Sequence, residues 1–146
     1  MSKVILIAGD FGKGVNGRLH EGHRDHIRKA SLLGDFLIII THTDESIFQR
    51  KGYVPDPLAT RIQRLTDALS ENRVSGLVAL SLDKDGTVTK TLEHYCPMIF
   101  AKGGSRTPDN MPLSEVEVCK ELGIEIRYGI GDLLGSSREI AKKGQQ

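Results

Sequence analysis

Five short apolar runs are spaced along the chain, and amphipathic stretches alternate with them. The first, KVILIA from Lys3 to Ala8, stops at Gly9. The others are FLIIITH (Phe36 to His42), GLVALS (Gly76 to Ser81), MIFAKGG (Met98 to Gly104) and IEIRYG (Ile124 to Gly129). A continuous apolar run of this length, ended by glycine or a turn, is how a strand buried on both faces reads. Between the first two, Ile27, Ala30 and Leu33 recur at helical spacing, and Gly34 ends the pattern. Leu58 to Leu69 carries Leu58, Ile62, Leu65 and Leu69 on one stripe, and Leu113 to Leu122 reads as a further helix. TDESIFQRKGYVPD (Thr43 to Asp56) is polar, closes with prolines and reads as a loop. LDKDGTVTK is a turn-rich excursion before a short helix, and a last helix starts near Ser136. Strand and helix in alternation predict a single-domain, Rossmann-like three-layer α/β fold with a parallel, five-stranded sheet. Ligands of such sheets lie in the crevice beyond the carboxyl ends of the strands.

Composition narrows the picture only slightly. The 146 residues suit one domain, spanning 1–146, and 38% hydrophobic with 27% charged residues fits an ordinary globule. A net charge of +1 gives no sign of a nucleic-acid-coating surface, although cations clustered at a phosphate site would not show in that sum. Cys96 and Cys119 have neither disulfide-framework nor metal-site spacing and read as buried thiols of a reducing compartment. MSKVILIAG is too short for a signal peptide, and no run approaches a membrane span. The expected location is the cytoplasm, without membrane or nucleic-acid partners.

The chemistry concentrates in GKGVNGRLHEGH, Gly12 to His23. Its first half spells the dinucleotide fingerprint G-x-G-x-x-G in Gly12, Gly14 and Gly17; its second half spells H-x-G-H in His20, Gly22 and His23. The fingerprint requires its first glycine at the strand end and its last at the helix start. Here Asp10 and Phe11 intervene before Gly12, and the helix is expected to open nearer His20 to Gly22. Lys13 is followed by Gly14, so the stretch is not a P-loop either. His20 and His23, three residues apart at a helix start, present both imidazoles on one side, and the helix N-terminus adds positive potential suited to a triphosphate.

On these residues the chain resembles the cytidylyltransferase-like nucleotidyltransferases, whose pattern is G-x-F-D-x-x-H-x-G-H. Gly9, Phe11, His20, Gly22 and His23 match. The resemblance is closest to the nucleotidyltransferase domain of bifunctional ADP-heptose synthases, with glycerol-3-phosphate cytidylyltransferase more distant. DESIFQRKG from Asp44, the Pro57-Leu58-x-x-Arg61 series, FAKGG ending in Gly104 and LGSSREI from Leu134 also match family segments, in order. The chain departs from the pattern in four places. Gly12 replaces the family's aspartate, the gap from Phe11 to His20 is five residues longer, Ser105 replaces an acidic residue, and no Arg-Thr-Glu precedes Gly135.

The resemblance implies transfer of a nucleoside monophosphate from a triphosphate to a small phosphorylated substrate, with pyrophosphate leaving. It implies catalytic roles for His20, His23, Lys51 and Arg61. Nucleotide binding falls to Gly9, Asp10, Phe11, Lys13, Gly22, Lys102, Gly103, Gly104, Ser136 and Ser137, and substrate binding to Asp44. Magnesium (Mg2+) would bridge the phosphates, held mostly by the nucleotide and water, and a homodimer is expected. ATP with heptose 1-phosphate is the first expectation for substrates, and CTP with glycerol 3-phosphate the second. Arg61 stands on a helix's first turn, where a cation opposes the dipole and so calls for an anion. The lengthened loop, with Lys13 and Arg18, is either a basic flap over the phosphates or a plain insertion. A nucleotide-binding module without turnover and a nicotinamide-binding oxidoreductase are the rival readings.

Overall fold

The computed structural model describes residues 2–12, 14, 18–104 and 106–131. Within them the order is β1 (Val4–Gly9), α1 (Glu21–Ser31), β2 (Phe36–Thr41), α2 (Asp44–Lys51), α3 (Leu58–Glu71), β3 (Gly76–Leu80), α4 (Thr89–Tyr95), β4 (Ile99–Ala101), α5 (Leu113–Leu122) and β5 (Glu125–Arg127). The five strands form one sheet in the order β3-β2-β1-β4-β5. Every pairing is parallel, with Val4 opposite Phe36 and Gly9 opposite Thr41. This is the Rossmann-like α/β architecture the alternating pattern predicts.

Strand periodicity sorts the apolar runs onto two faces. Ile5, Ile7, Leu37, Ile39, Ile99 and Ala101 join Ile27 and Ala30 of α1 and Leu65, Ala68 and Leu69 of α3 in one core. Leu6, Ile38, Ile40 and Phe100 join Leu92 of α4 and Val118 and Cys119 of α5 in the other. The chain steps outward from β1 to β2 and β3, then returns past β1 to β4. The direction of progression reverses between β1 and β4, and the crevice of such a sheet opens there.

The structure corrects several expectations. Thr43–Asp56 is not a loop throughout, because it holds α2. Thr43 caps that helix by accepting from Ser46 N, acids fill its first turn, Arg50 and Lys51 its last, and Gly52 ends it at φ 79°. Only Ser46 and Ile47 are buried along it, so the apolar stripe that announces most helices is missing. The face of α3 is also rotated: Arg61 is buried beside Leu65, Ala68 and Leu69, while Leu58 and Ile62 are half-buried. Cys119 is buried, but Cys96 is exposed at the left-handed C-cap of α4. The last helix expected near Ser136 lies outside the described residues.

The lengthened loop rests on α3 where it is described. Leu19 enters the first core, Gly14 N donates to Asp56 Oδ2, and Arg18 pairs with Glu71 at 3.1 Å. These contacts draw the described part of the loop down the side of α3. No helix among the described residues is long and apolar enough to cross a membrane.

Candidate active site

The end of β1 turns sharply into the crevice. Phe11 takes a left-handed backbone, φ 48°, which is costly for a residue with a side chain, and its ring is buried in the core. That ring stands edge-on to His23 at 5.2 Å between centroids, and His23 stands edge-on to His20 at 5.8 Å. α1 opens at Glu21 with His20 as its N-cap, whose Nδ1 accepts from Gly22 N at 3.1 Å. In the neutral ring this acceptance leaves the proton on Nε2. The helix therefore begins four residues after Gly17, where the dinucleotide fingerprint would not have it.

His23 is half-buried, and its Nδ1 has no partner among the described residues. Burial, with the charges of His20 and Lys51, pushes the imidazole down to about 4, against an opposing pull from Asp10. The ring is neutral at pH 7 and has one buried polar atom unsatisfied. Such an atom is costly unless a ligand completes it.

Asp10, whose charge acts on His23, follows directly on β1. Arg50 Nη2 donates to its Oδ1 at 2.7 Å and Arg50 Nη1 to its Oδ2 at 3.3 Å, and Lys51 Nζ stands 2.9 Å from Oδ2. Burial alone would raise this carboxyl, but the hydrogen bonds and charges of the two cations win and hold it at about 2. Lys51, in the last turn of α2, is thus brought beside the end of β1. Arg50 is an addition that its sequence neighbourhood did not single out.

Arg61 is placed differently from its expected phosphate-facing role. Its residue is 0% exposed and all its donors are engaged. Nε donates to Asp56 O, Nη1 to Asp10 O and Thr41 Oγ1, and Nη2 to His42 O and Asp44 Oδ1. Asp44 also accepts from Leu58 N, so it ties the starts of α2 and α3 together. The anion that Arg61 calls for is therefore Asp44, and the pair fixes the ends of β1 and β2. His42, at the end of β2, is buried with Nδ1 unpartnered among the described residues, and burial pushes its imidazole down.

The opposite wall, after β4, is mostly backbone. A Cβ on Gly103 would lie 2.8 Å from Gly131 O and 2.9 Å from His26 Nδ1. Gly104, at φ 60°, donates to Gly131 O, and His26 Nδ1 meets Ile130 O. Lys102 Nζ lies 4.6 Å above the Phe100 ring, and burial lowers its ammonium while the Glu115 charge opposes. His26 is thereby spent on the fold. No group of three or more His, Cys, Asp or Glu among the described residues could hold a metal ion. Lys13, Ser136 and Ser137 lie outside the described residues.

The chain has similar proteins both in sequence and in fold. The chain is 34% identical over 93 residues, 64% of its length, to the bifunctional protein HldE of Nitrosococcus oceani. It is also 34% identical over 111 residues, 75% of its length, to HldE of Histophilus somni. The chain is thus similar to part of the HldE proteins, which are ADP-heptose synthases. It spans about a fifth of the length of these relatives, 19% and 21%. A lipopolysaccharide core biosynthesis protein from Thermoplasma volcanium shares the fold, with a TM-score of 0.63, 21% identity and coverage of 88% of this chain and 95% of that one. No family profile matches the chain.

Proposed function

We propose that the chain is a nucleotidyltransferase that moves a nucleoside monophosphate from a nucleoside triphosphate to a small sugar or polyol phosphate. The observation that carries this reading is His23. It is a neutral imidazole with a buried nitrogen unsatisfied among the described residues, beside His20 at a helix N-terminus and within the electrostatic reach of Lys51 and Asp10. The similarity to HldE proteins supports it.

In this reading an oxygen of the acceptor phosphate attacks the α-phosphorus, the bond to the bridging oxygen breaks and pyrophosphate leaves. The protein's part is alignment and charge stabilisation. The free N–H groups of α1 and the two imidazoles face the phosphates, and the incoming negative charge raises His23 toward its protonated form as charge builds at phosphorus. Arg50 and Lys51 take the leaving end. Arg61 and Asp44 act as positioning residues, through the backbone of Asp10 and His42. The base or ribose is assigned to the backbone of the Gly103–Gly104 turn, which packs on α1 through His26. Magnesium is assigned no side chain; when bound with the nucleotide it screens the polyphosphate charge. ATP with heptose 1-phosphate is the first pairing and CTP with glycerol 3-phosphate the second, in a cytoplasmic homodimer.

The test is pyrophosphate release from ATP, CTP, GTP and UTP, with magnesium, against both acceptors. Release with one pairing is expected. Nucleotide binding with no release from any pairing would favour a binding module, a reading to which Gly12 at the family's aspartate position lends weight.

A further inference from the structure

A carboxylate is an unfavourable neighbour for a phosphate, yet Asp10 pairs with both cations assigned to the phosphates. Its two oxygens make three charged contacts, two with Arg50 and one with Lys51. The guanidinium fork fits a carboxylate and a phosphate equally well. The fork is also held in place. The Arg50 stem packs on Gly86, where an added Cβ would lie 2.5 Å from Arg50 Cδ, and φ is 86°. The backbone of Asp10 is anchored in turn, its carbonyl accepting from Arg61 Nη1 and Thr41 Oγ1, each at 3.1 Å. With the Arg50 fork and the Asp10 backbone held, the Asp10 carboxylate can leave Arg50 by a side-chain rotation alone.

Exposure sets the order of events. The Asp10 side chain is 14% exposed, against 30% for Arg50 and 39% for Lys51. An anion arriving from solvent therefore meets the cations on their outer side, with the carboxylate behind them.

We propose that Asp10 is a resident anion that occupies the polyphosphate subsite of Arg50 and Lys51 and makes the site selective for ligands of high negative charge. This rests on the reading that Lys51 faces the nucleotide's phosphates. A ligand must displace the carboxylate or share its cations. A triphosphate brings enough charge to do so, whereas inorganic phosphate or a monophosphate brings little more than the carboxylate it replaces. The same carboxylate, returning to Arg50 and Lys51, favours departure of pyrophosphate.

The experiment is calorimetric binding of inorganic pyrophosphate, without magnesium, to the wild type, Asp10→Asn, Asp10→Ser and the double variant Asp10→Asn with Arg50→Gln. Both single variants should bind pyrophosphate about tenfold more tightly than the wild type, and the double variant should lose that gain. Unchanged or weaker binding in the single variants overturns the proposal. A second measurement needs no variant: in the wild type, saturating pyrophosphate should raise the Asp10 carboxyl titration followed by NMR, and an unmoved titration is equally fatal. The two readings fail separately. Tighter pyrophosphate binding without any turnover would discard the transferase and keep the resident anion.

Discussion

The two walls of the crevice are built on different plans. The wall at the ends of β1 and β2 is made of charged side chains: Asp10 with Arg50 and Lys51, backed by Arg61 with Asp44. The wall after β4 is made of backbone, with Gly103, Gly104 and Gly131 packed against α1 through His26. Charged side chains suit a ligand that is charged and transient, since they can exchange partners. Glycine and backbone suit a flat base or ribose, which needs contact more than charge. α1 joins the walls, with His20 and His23 at its start and Asp25 and His26 buried just beyond.

The sharpest break in this comparison would come from the histidines. His23→Ala should lower turnover by roughly 100- to 1000-fold while leaving the unfolding midpoint near the wild type's, the range for removing a preorganised group that meets developing charge. Steady-state kinetics beside a denaturant melt checks both halves. Arg61→Met should act on stability first. It strips Asp44, Thr41 and three carbonyl acceptors of their buried donor at once, and should cost about 3 kcal/mol in urea unfolding. Equal stability of the Arg61→Met protein would mean the charged wall does not depend on that buried residue.

A pH series probes the charged wall and the start of α1 without touching the glycines. The folded value of His23 is depressed, from 6.5 to about 4, so the unfolded chain binds more protons in between. Stability is thus full above 6.5 and falls as pH drops toward 4, and buried His42 contributes in the same direction. Asp10 is depressed from 3.8 to about 2, so its contribution, on the order of 2 kcal/mol, is lost across the more acidic window between those values. His23→Gln should shrink the first window to the share of His42 and leave the second. Gly103→Ala tests the backbone wall: its Cβ would crowd Gly131 O and His26 Nδ1, for a loss of about 1–3 kcal/mol and weaker nucleotide binding. A fully stable Gly103→Ala protein would show that wall to be less tightly packed than its contacts imply.

Much of this was legible from local signals. The β1 run, the two-residue offset before Gly12 and the H-x-G-H spacing together placed the start of α1 correctly. α2 escaped because its signals are caps and end charges, with almost no buried face. The pairing of Asp10 with Arg50 joins residues 40 apart in the chain, and that of Arg61 with Asp44 joins residues 17 apart. Neither separation leaves a periodic trace. Arg61 was recognised as needing an anion, but only the packing of α3 on the strand ends shows that the anion is internal. No sequence signal marks Arg50, because its place depends on Gly86 of the distant β3–α4 loop.

The most direct test of the account is a crystal structure with a non-hydrolysable nucleoside triphosphate analogue and magnesium. The phosphates should lie against His20, His23, Arg50 and Lys51, with the Asp10 carboxylate moved off its cations and the base or ribose against Gly103 and Gly104. Phosphates bound instead along the Gly12–Gly17 loop, away from His23, would contradict it.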